Sequence, residues 1–212
     1  MHAIKSLLTI KYLGVQPYLP TLKAMQDFTT ARNERTNDEL WLLEHEAVFT
    51  LGQAGKTKHI LDAHNIPVIK TDRGGQVTYH GIGQLVAYCL FDIKRLQLNS
   101  RQLVCNLEQV VINLLADFNI KALGDRDAPG VYVNDKKIAA LGLRIRKGYS
   151  YHGLCFNVNI DLTPFTYINP CGVKDQPVTS LQDLGLDIAM QEIRERLTKN
   201  IKETFYQKIA LA

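Results

Sequence analysis

The chain has 212 residues, 46% of them hydrophobic and 22% charged, with a formal net charge of +4. That length suits one domain, and the near-average composition excludes a disordered, collagenous or coiled-coil chain. The longest apolar run, Leu85 to Phe91, is far short of the roughly 20 residues that cross a bilayer, and Ser6 to Ile10 is too short for a signal-peptide core, so a cytoplasmic location with no membrane or nucleic-acid partner is expected.

Thr21 can cap a first helix running to about Arg32, with Leu22, Met25 and Phe28 on one stripe. Leu40–Leu43, Ala47–Leu51 and Ile66–Thr71 have the length and content of strands. Gln76–Tyr79 and Gln84–Ile93 are two more, flanking a glycine-rich turn. Ser100 caps the clearest helix, in which Leu103, Val104, Leu107, Val111, Leu114, Leu115 and Phe118 recur at helical spacing before Gly124. A meander follows: Val131–Val133, a turn at Asn134-Asp135, Ile138–Arg146, a turn at Lys147-Gly148, then Leu154–Ile160. Asp187 caps a last helix with Met190, Ile193, Leu197, Ile201, Phe205 and Ile209 inward. Three helices separated by runs of adjacent strands make an α+β pattern, read as a single domain over 1–212.

The densest cluster of unusual residues is Arg73-Gly74-Gly75-Gln76-Val77-Thr78-Tyr79-His80-Gly81-Ile82-Gly83-Gln84. Glycines beside an Arg and a His suit a loop whose backbone approaches a ligand and whose N–H groups could hold an oxyanion; a pair of tight turns would look the same. In Asn169-Pro170-Cys171-Gly172 a thiol sits in a turn, where a nucleophile is as reasonable as a bystander. Cys89, Cys105 and Cys155 lie inside apolar patterns and read as buried structural residues. The lack of C-x-x-C spacing gives no sign of a metal or redox pair. A thiol nucleophile needs a neighbouring cation, and the residues leave His80, His152, Lys136 and Lys137 open.

Along the strand after the hairpin, Ala139, Leu141, Leu143 and Ile145 share one face, and Ala140, Gly142, Arg144 and Arg146 the other. The two small residues leave room for a packed helix, slightly favoured, or for an extended apolar ligand that a Gly142→Val change would displace with the fold kept. Gly52-Gln-Ala-Gly55-Lys56-Thr57 looks like a P-loop but has Thr50 where the first glycine is needed, so no nucleotide site is expected.

The run Arg73 to Gln84, together with Lys137-Ile-Ala-Ala-Leu-Gly-Leu-Arg144 and Ile168-Asn-Pro-Cys171-Gly172, resembles the signature of the bacterial octanoyltransferases of lipoate biosynthesis. Ser150-Tyr-His152-Gly153-Leu154 and Asn157-Val-Asn159 are similar to family sequence as well; Ile82 stands where the family usually has Pro. The resemblance implies the biotin/lipoate protein ligase catalytic-domain fold, a mixed, mostly antiparallel sheet with packed helices. It implies transfer of an octanoyl group from acyl carrier protein to a lysine of lipoyl domains, those of 2-oxoacid dehydrogenases and the glycine cleavage H protein. Cys171 would be the nucleophile and Lys137 the cation that favours its thiolate. Arg73, Gly74, Gly75, Gln76, Val77, Thr78, Tyr79, His80, Ala140, Leu141, Gly142, Gly153, Leu154 and Cys155 would line the acyl site. No metal or cofactor is implied, since a thioester is already activated. The alternatives are an ATP-dependent lipoate ligase of the same fold and a non-catalytic acyl- or lipoyl-binding module. Alternation from a strand start at Lys136 would place Lys136, not Lys137, with Ala140 and Gly142, so the choice of Lys137 requires the turn to break parity.

Overall fold

The computed structural model describes residues 8–125, 127–170 and 176–207. Cys171 and Ile209 lie outside them. In chain order the elements are β1 (Leu8–Gln16), α1 (Tyr18–Ala31), β2 (Asp38–His45), β3 (Val48–Leu51), β4 (Val68–Lys70), β5 (Val77–His80), β6 (Gln84–Leu90), α2 (Ser100–Ala116), β7 (Leu123–Gly124), β8 (Gly130–Val133), β9 (Lys136–Arg146), β10 (Tyr149–Asn157) and α3 (Met190–Tyr206).

A main sheet runs β1-β2-β6-β10-β9-β8-β7, and a small one runs β4-β3-β5. The pairs β1–β2 and β3–β4 are parallel and the others antiparallel. This is the expected α+β, mostly antiparallel architecture, with a second sheet the sequence pattern did not separate.

β2 and β6 read as unbroken apolar runs because both faces of the sheet are covered. Leu40, Leu42, Leu85, Ala87 and Phe156 pack under α2 and α3. Trp41, Leu43, Val86 and Tyr88, alternating with them, pack under Tyr18, Leu22 and Met25 of α1. A third cluster joins Phe49, Leu51, Val77 and Tyr79 of the small sheet to Phe165 and Ile168.

Several local expectations are corrected. β1 escaped notice because most of its residues are half-buried or exposed, with no apolar run to mark it. Thr21 lies inside α1, its hydroxyl donating to Pro17 O at 2.8 Å. Asn99, not Ser100, caps α2: its side chain accepts from Gln102 N and the Gln102 side chain accepts from Asn99 N, both at 2.9 Å, a reciprocal capping box. α3 starts after Ala189 rather than at Asp187. Cys89 and Cys155 are buried, but Cys105 is exposed on α2. Among the described residues, no helix is long and apolar enough to cross a membrane.

The β8–β9 hairpin decides which lysine faces inward. Asn134 and Asp135 both have positive φ, 49° and 63°, and Val133 pairs directly with Lys136. Such a two-residue turn keeps the register, so the turn does not break parity. A bulge does: Val131 pairs with Ala139 while Tyr132 pairs with Lys137, leaving Ile138 as the extra residue. Ile138 and Ala139 consequently both enter the core. Lys137 is buried, whereas Lys136 is exposed and faces Asp183 at 3.7 Å.

Candidate active site

The glycine-rich segment folds back onto β9. Gly74 N–H donates to Leu143 O at 2.9 Å. Arg73 is buried, and its guanidinium donates to Thr50 O, Thr50 Oγ1, Gly74 O and Gln76 O at 2.7–2.9 Å. The small-residue face of β9 is therefore covered by this loop and not by a helix. An ideal Cβ on Gly142 would lie 3.1 Å from Arg73 Cδ, so Gly142 exists to let the arginine cross.

Between the loop, β9 and β10 is a narrow slot of about 60 Å³, room for about four to six waters at roughly 10–15 Å³ each. Arg73, Gly75, Gln76, Val77, Thr78 and His80 line it, with Ala140, Leu141 and Gly142 of β9 and Gly153, Leu154 and Cys155 of β10. Two expected members are elsewhere. Gly74 faces an outer groove beside Gln53 and Arg144. The Tyr79 ring packs on Phe49 and Phe165, each at 5.5 Å, because strand alternation sends residue 79 to the opposite face from 78 and 80.

Tyr18, Val86, Tyr88 and His152 complete the slot. Of these the residues alone had raised only His152, and as a cation. Pairing held the missing signal: Tyr88 sits opposite Gly153 and Val86 opposite Cys155, so residues of β6 on that face must look into the same space.

A smaller chamber of about 20 Å³ adjoins the slot and holds Lys137. Thr78, Ala140 and Cys155 are shared by the two, and Gln84, Asn157 and Pro170 complete its inner wall. Lys137 is clamped through its backbone: its N–H donates to Pro177 O at 2.9 Å and its O accepts from Thr179 N at 3.0 Å. Its ammonium reaches Pro129 O at 3.4 Å and lies 5.1 Å from the centre of the Tyr132 ring. Gly130 makes room for it, since a Cβ there would stand 2.9 Å from Lys137 Cε. Cys171, which follows Pro170 in the chain, is outside the described residues.

Burial keeps His80 and His45 uncharged near neutral pH. Burial, helped by the charge on neighbouring groups, pushes His80 down to about 3, and burial pushes His45 down to about 4. Their hydrogen bonds fit neutral rings. His80 donates from Nδ1 to Gln84 Oε1 at 2.7 Å and accepts at Nε2 from Thr50; His45 donates to Gln16 O and accepts from the Tyr88 hydroxyl. Gln84 in turn donates to Asn157 Oδ1 at 2.9 Å, and Asn157 to Thr179 O at 2.9 Å. One buried polar chain thus runs from Arg73 through Thr50, His80, Gln84 and Asn157 to the segment that clamps Lys137.

His152 is likewise lowered by burial, only partly offset by the Asp72 carboxylate it donates to at 2.9 Å. Burial disfavours the Asp72 carboxylate, but donors from His152, Tyr151 and Gln26 outweigh it and hold the carboxyl well below its ordinary range. With Lys136 turned outward, Lys137 is the member of the four candidates that brings an ammonium to the chamber.

Comparison with known proteins agrees. Residues 17–202 match the family of the lipoyl protein ligase A/B catalytic domain. Octanoyltransferases of Pseudomonas entomophila and Chromobacterium violaceum are 54% and 52% identical, over 92% and 91% of this chain and 90% and 93% of theirs.

The chain belongs to the octanoyltransferase family.

It is thus an acyltransferase. Solved structures show the same fold at low identity. A bipartite lipoate protein ligase from Thermoplasma acidophilum has a TM-score of 0.71 at 17% identity, covering 92% of this chain and 84% of that one. A biotin protein ligase from Aquifex aeolicus has 0.57 at 19%, covering 93% and 69%. Within the octanoyltransferase signature, Ile82 is exposed at the turn between β5 and β6, and its flanking glycines serve packing. A Cβ on Gly81 would meet the Tyr79 hydroxyl at 2.4 Å, and Gly83 has φ +89°. The P-loop look-alike at Gly52–Thr57 leads into a three-residue 3₁₀ turn, not a helix.

Proposed function

We propose that the protein carries an octanoyl group from acyl carrier protein to the acceptor lysine of lipoyl domains, through a thioester on Cys171. The acceptors would be the lipoyl domains of 2-oxoacid dehydrogenases and the glycine cleavage H protein. The observation that carries this reading is the junction of an apolar slot with a chamber holding a buried lysine, walled by Pro170 immediately before Cys171 in sequence. Support comes also from the names of relatives above 50% identity over most of their length.

In the first half-reaction the Cys171 thiolate, favoured by the Lys137 ammonium, attacks the thioester carbonyl. The tetrahedral adduct collapses and expels the carrier thiolate, which takes a proton from Lys137 Nζ. In the second, the neutral acceptor amine attacks the Cys171 thioester and gives its proton to Lys137, and the cysteine leaves as thiolate. Both thioesters are activated acyl groups, so no nucleotide enters the cycle.

Incubation with octanoyl-acyl carrier protein, without ATP, tests the scheme by intact-protein mass. An octanoyl adduct is expected on the protein and on Cys89→Ala, Cys105→Ala and Cys155→Ala, but not on Cys171→Ala. Mapping of the acyl group to another cysteine would reject the assignment. Absence of any adduct would favour the ATP-dependent ligase or the binding module.

A further inference from the structure

α2 buries an apolar row with one charge in it. Leu103, Leu107, Val110, Val111 and Leu114 fill the core side of the helix, and Glu108 is buried with them. A buried carboxylate is costly unless something answers its charge, and Glu108 stands outside both the slot and the Lys137 chamber.

One peptide group answers it. Glu108 Oε1 accepts from Gly130 N–H at 2.9 Å, and the carbonyl of the same peptide, Pro129 O, accepts from Lys137 Nζ at 3.4 Å. The peptide is trans, so its N–H and C=O point opposite ways. A carboxylate thus sits at the positive end of one dipole and an ammonium at its negative end. Pull on the N–H by the carboxylate strengthens the carbonyl as an acceptor. The second contact is long, so the ammonium is oriented by the carbonyl rather than locked to it.

The bridging segment is rigidly held. Asp125 accepts from the N–H groups of Asp127 and Ala128 at 2.8 and 3.3 Å. The Tyr132 hydroxyl donates to Ala128 O at 2.7 Å, and its ring lies under the ammonium. Two glycines clear the ends of the bridge: a Cβ on Gly124 would stand 3.0 Å from Glu108 Oε2, and one on Gly130 3.2 Å from Lys137 Nζ. Burial pushes the Glu108 carboxyl up from its ordinary range, as does the Asp125 carboxylate, while the Gly130 N–H and the Lys137 ammonium pull it down.

We propose that Glu108 is a positioning residue: through the Pro129–Gly130 peptide it aims the Lys137 ammonium and favours its charged form. Glu108 touches no substrate and neither gains nor loses a proton in the cycle. It keeps Lys137 a proton donor for the departing carrier thiolate, so its part in catalysis rests on the transferase reading above. The charge coupling itself can be read without turnover.

The test titrates Lys137 by carbon NMR of lysine-labelled Cys171→Ala, its resonance assigned by loss in Lys137→Met. Glu108→Gln keeps an acceptor for Gly130 N–H and removes only the charge. It is expected to move the Lys137 midpoint down by about one pH unit, the low end of what an opposite charge nearby supplies. Coupling is reciprocal, so Lys137→Met should raise the Glu108 midpoint, read by carboxyl carbon NMR, by a similar amount. That second measurement decides the matter even where Glu108→Gln does not fold. A change under about 0.3 pH unit in either midpoint, far below that range, would overturn the proposal and leave Glu108 as a structural partner of Gly130. With Cys171 present, the alkaline limb of acyl-enzyme formation should move down in Glu108→Gln by the same interval; an unmoved limb would overturn the catalytic part. No adduct on the parent protein would overturn the transferase reading and that catalytic part, a result distinct from a lost NMR coupling.

Discussion

Arg73 lies across Gly142, its Cδ 3.1 Å from the point where a Cβ would sit, with Gly74 O equally close. The chain-length probe suggested by the sequence, Gly142→Val, would therefore push against backbone and a buried guanidinium as well as any acyl chain. It is expected to lower the melting temperature. Ala140→Val is the cleaner probe, since residue 140 borders both cavities and already carries a Cβ. Displacing about two CH₂ groups from the slot, at about 0.8 kcal/mol each, should cut octanoyl transfer about tenfold while a two-carbon donor still acylates Cys171. Equal losses for both donors, with stability kept, would place the chain elsewhere.

Gly153 faces a harder limit. A Cβ there would lie 2.0 Å from Ala87 O of the neighbouring strand, just after His152 turns with φ +59°. Gly153→Ala must part β6 and β10 at the centre of the sheet. A loss of at least about 3 kcal/mol is expected, a fall of about 6–12 °C for a domain of this size. Thermal unfolding followed by circular dichroism reads it directly; a shift under about 2 °C, less than 1 kcal/mol on the same scale, would show that the strands part freely.

Stability should fall as pH drops from 7 to 5. Folded His80 and His45 stay neutral, near 3 and 4, while unfolded they take up a proton near 6.5. Below 6.5 the unfolded chain binds more protons, so folding weakens as pH falls until the folded-state values are reached. From 6.5 to 5 this amounts to about 2 kcal/mol per histidine. Asp72, depressed when folded, acts in the same direction only below about 4. Urea midpoints of the parent and of His45→Gln measure it. The variant should be less stable at pH 7, yet its stability should depend less steeply on pH; an unchanged slope would contradict a neutral buried His45.

The two adjacent lysines should separate cleanly. In a Cys105→Ser background, Lys137→Met should move Cys171 alkylation to higher pH, while Lys136→Met leaves it in place. A charge about 4 Å away at an effective dielectric of 20 is worth up to about 4 kcal/mol, enough for a shift of more than one pH unit. A shift in Lys136→Met alone would reverse the roles.

Local periodicity was enough to find the three helices, both hairpin turns and most strands of this chain, because apolar spacing and turn residues act over a few positions. The spaced blocks around Arg73, Lys137 and Cys171 were enough for the family. Three matters lay beyond reach. β1 has little apolar pattern and takes its conformation from pairing with β2. The face of Lys137 depends on a bulge opposite Val131 and Tyr132, and a bulge answers to the partner strand rather than to its own residues. The neutrality of His80, and the downward push on the pKa of His152, come from burial by α1, β6 and the glycine-rich loop together, and desolvation is a property of everything that surrounds a group. Contacts between distant segments set all three, and no window along the chain contains them.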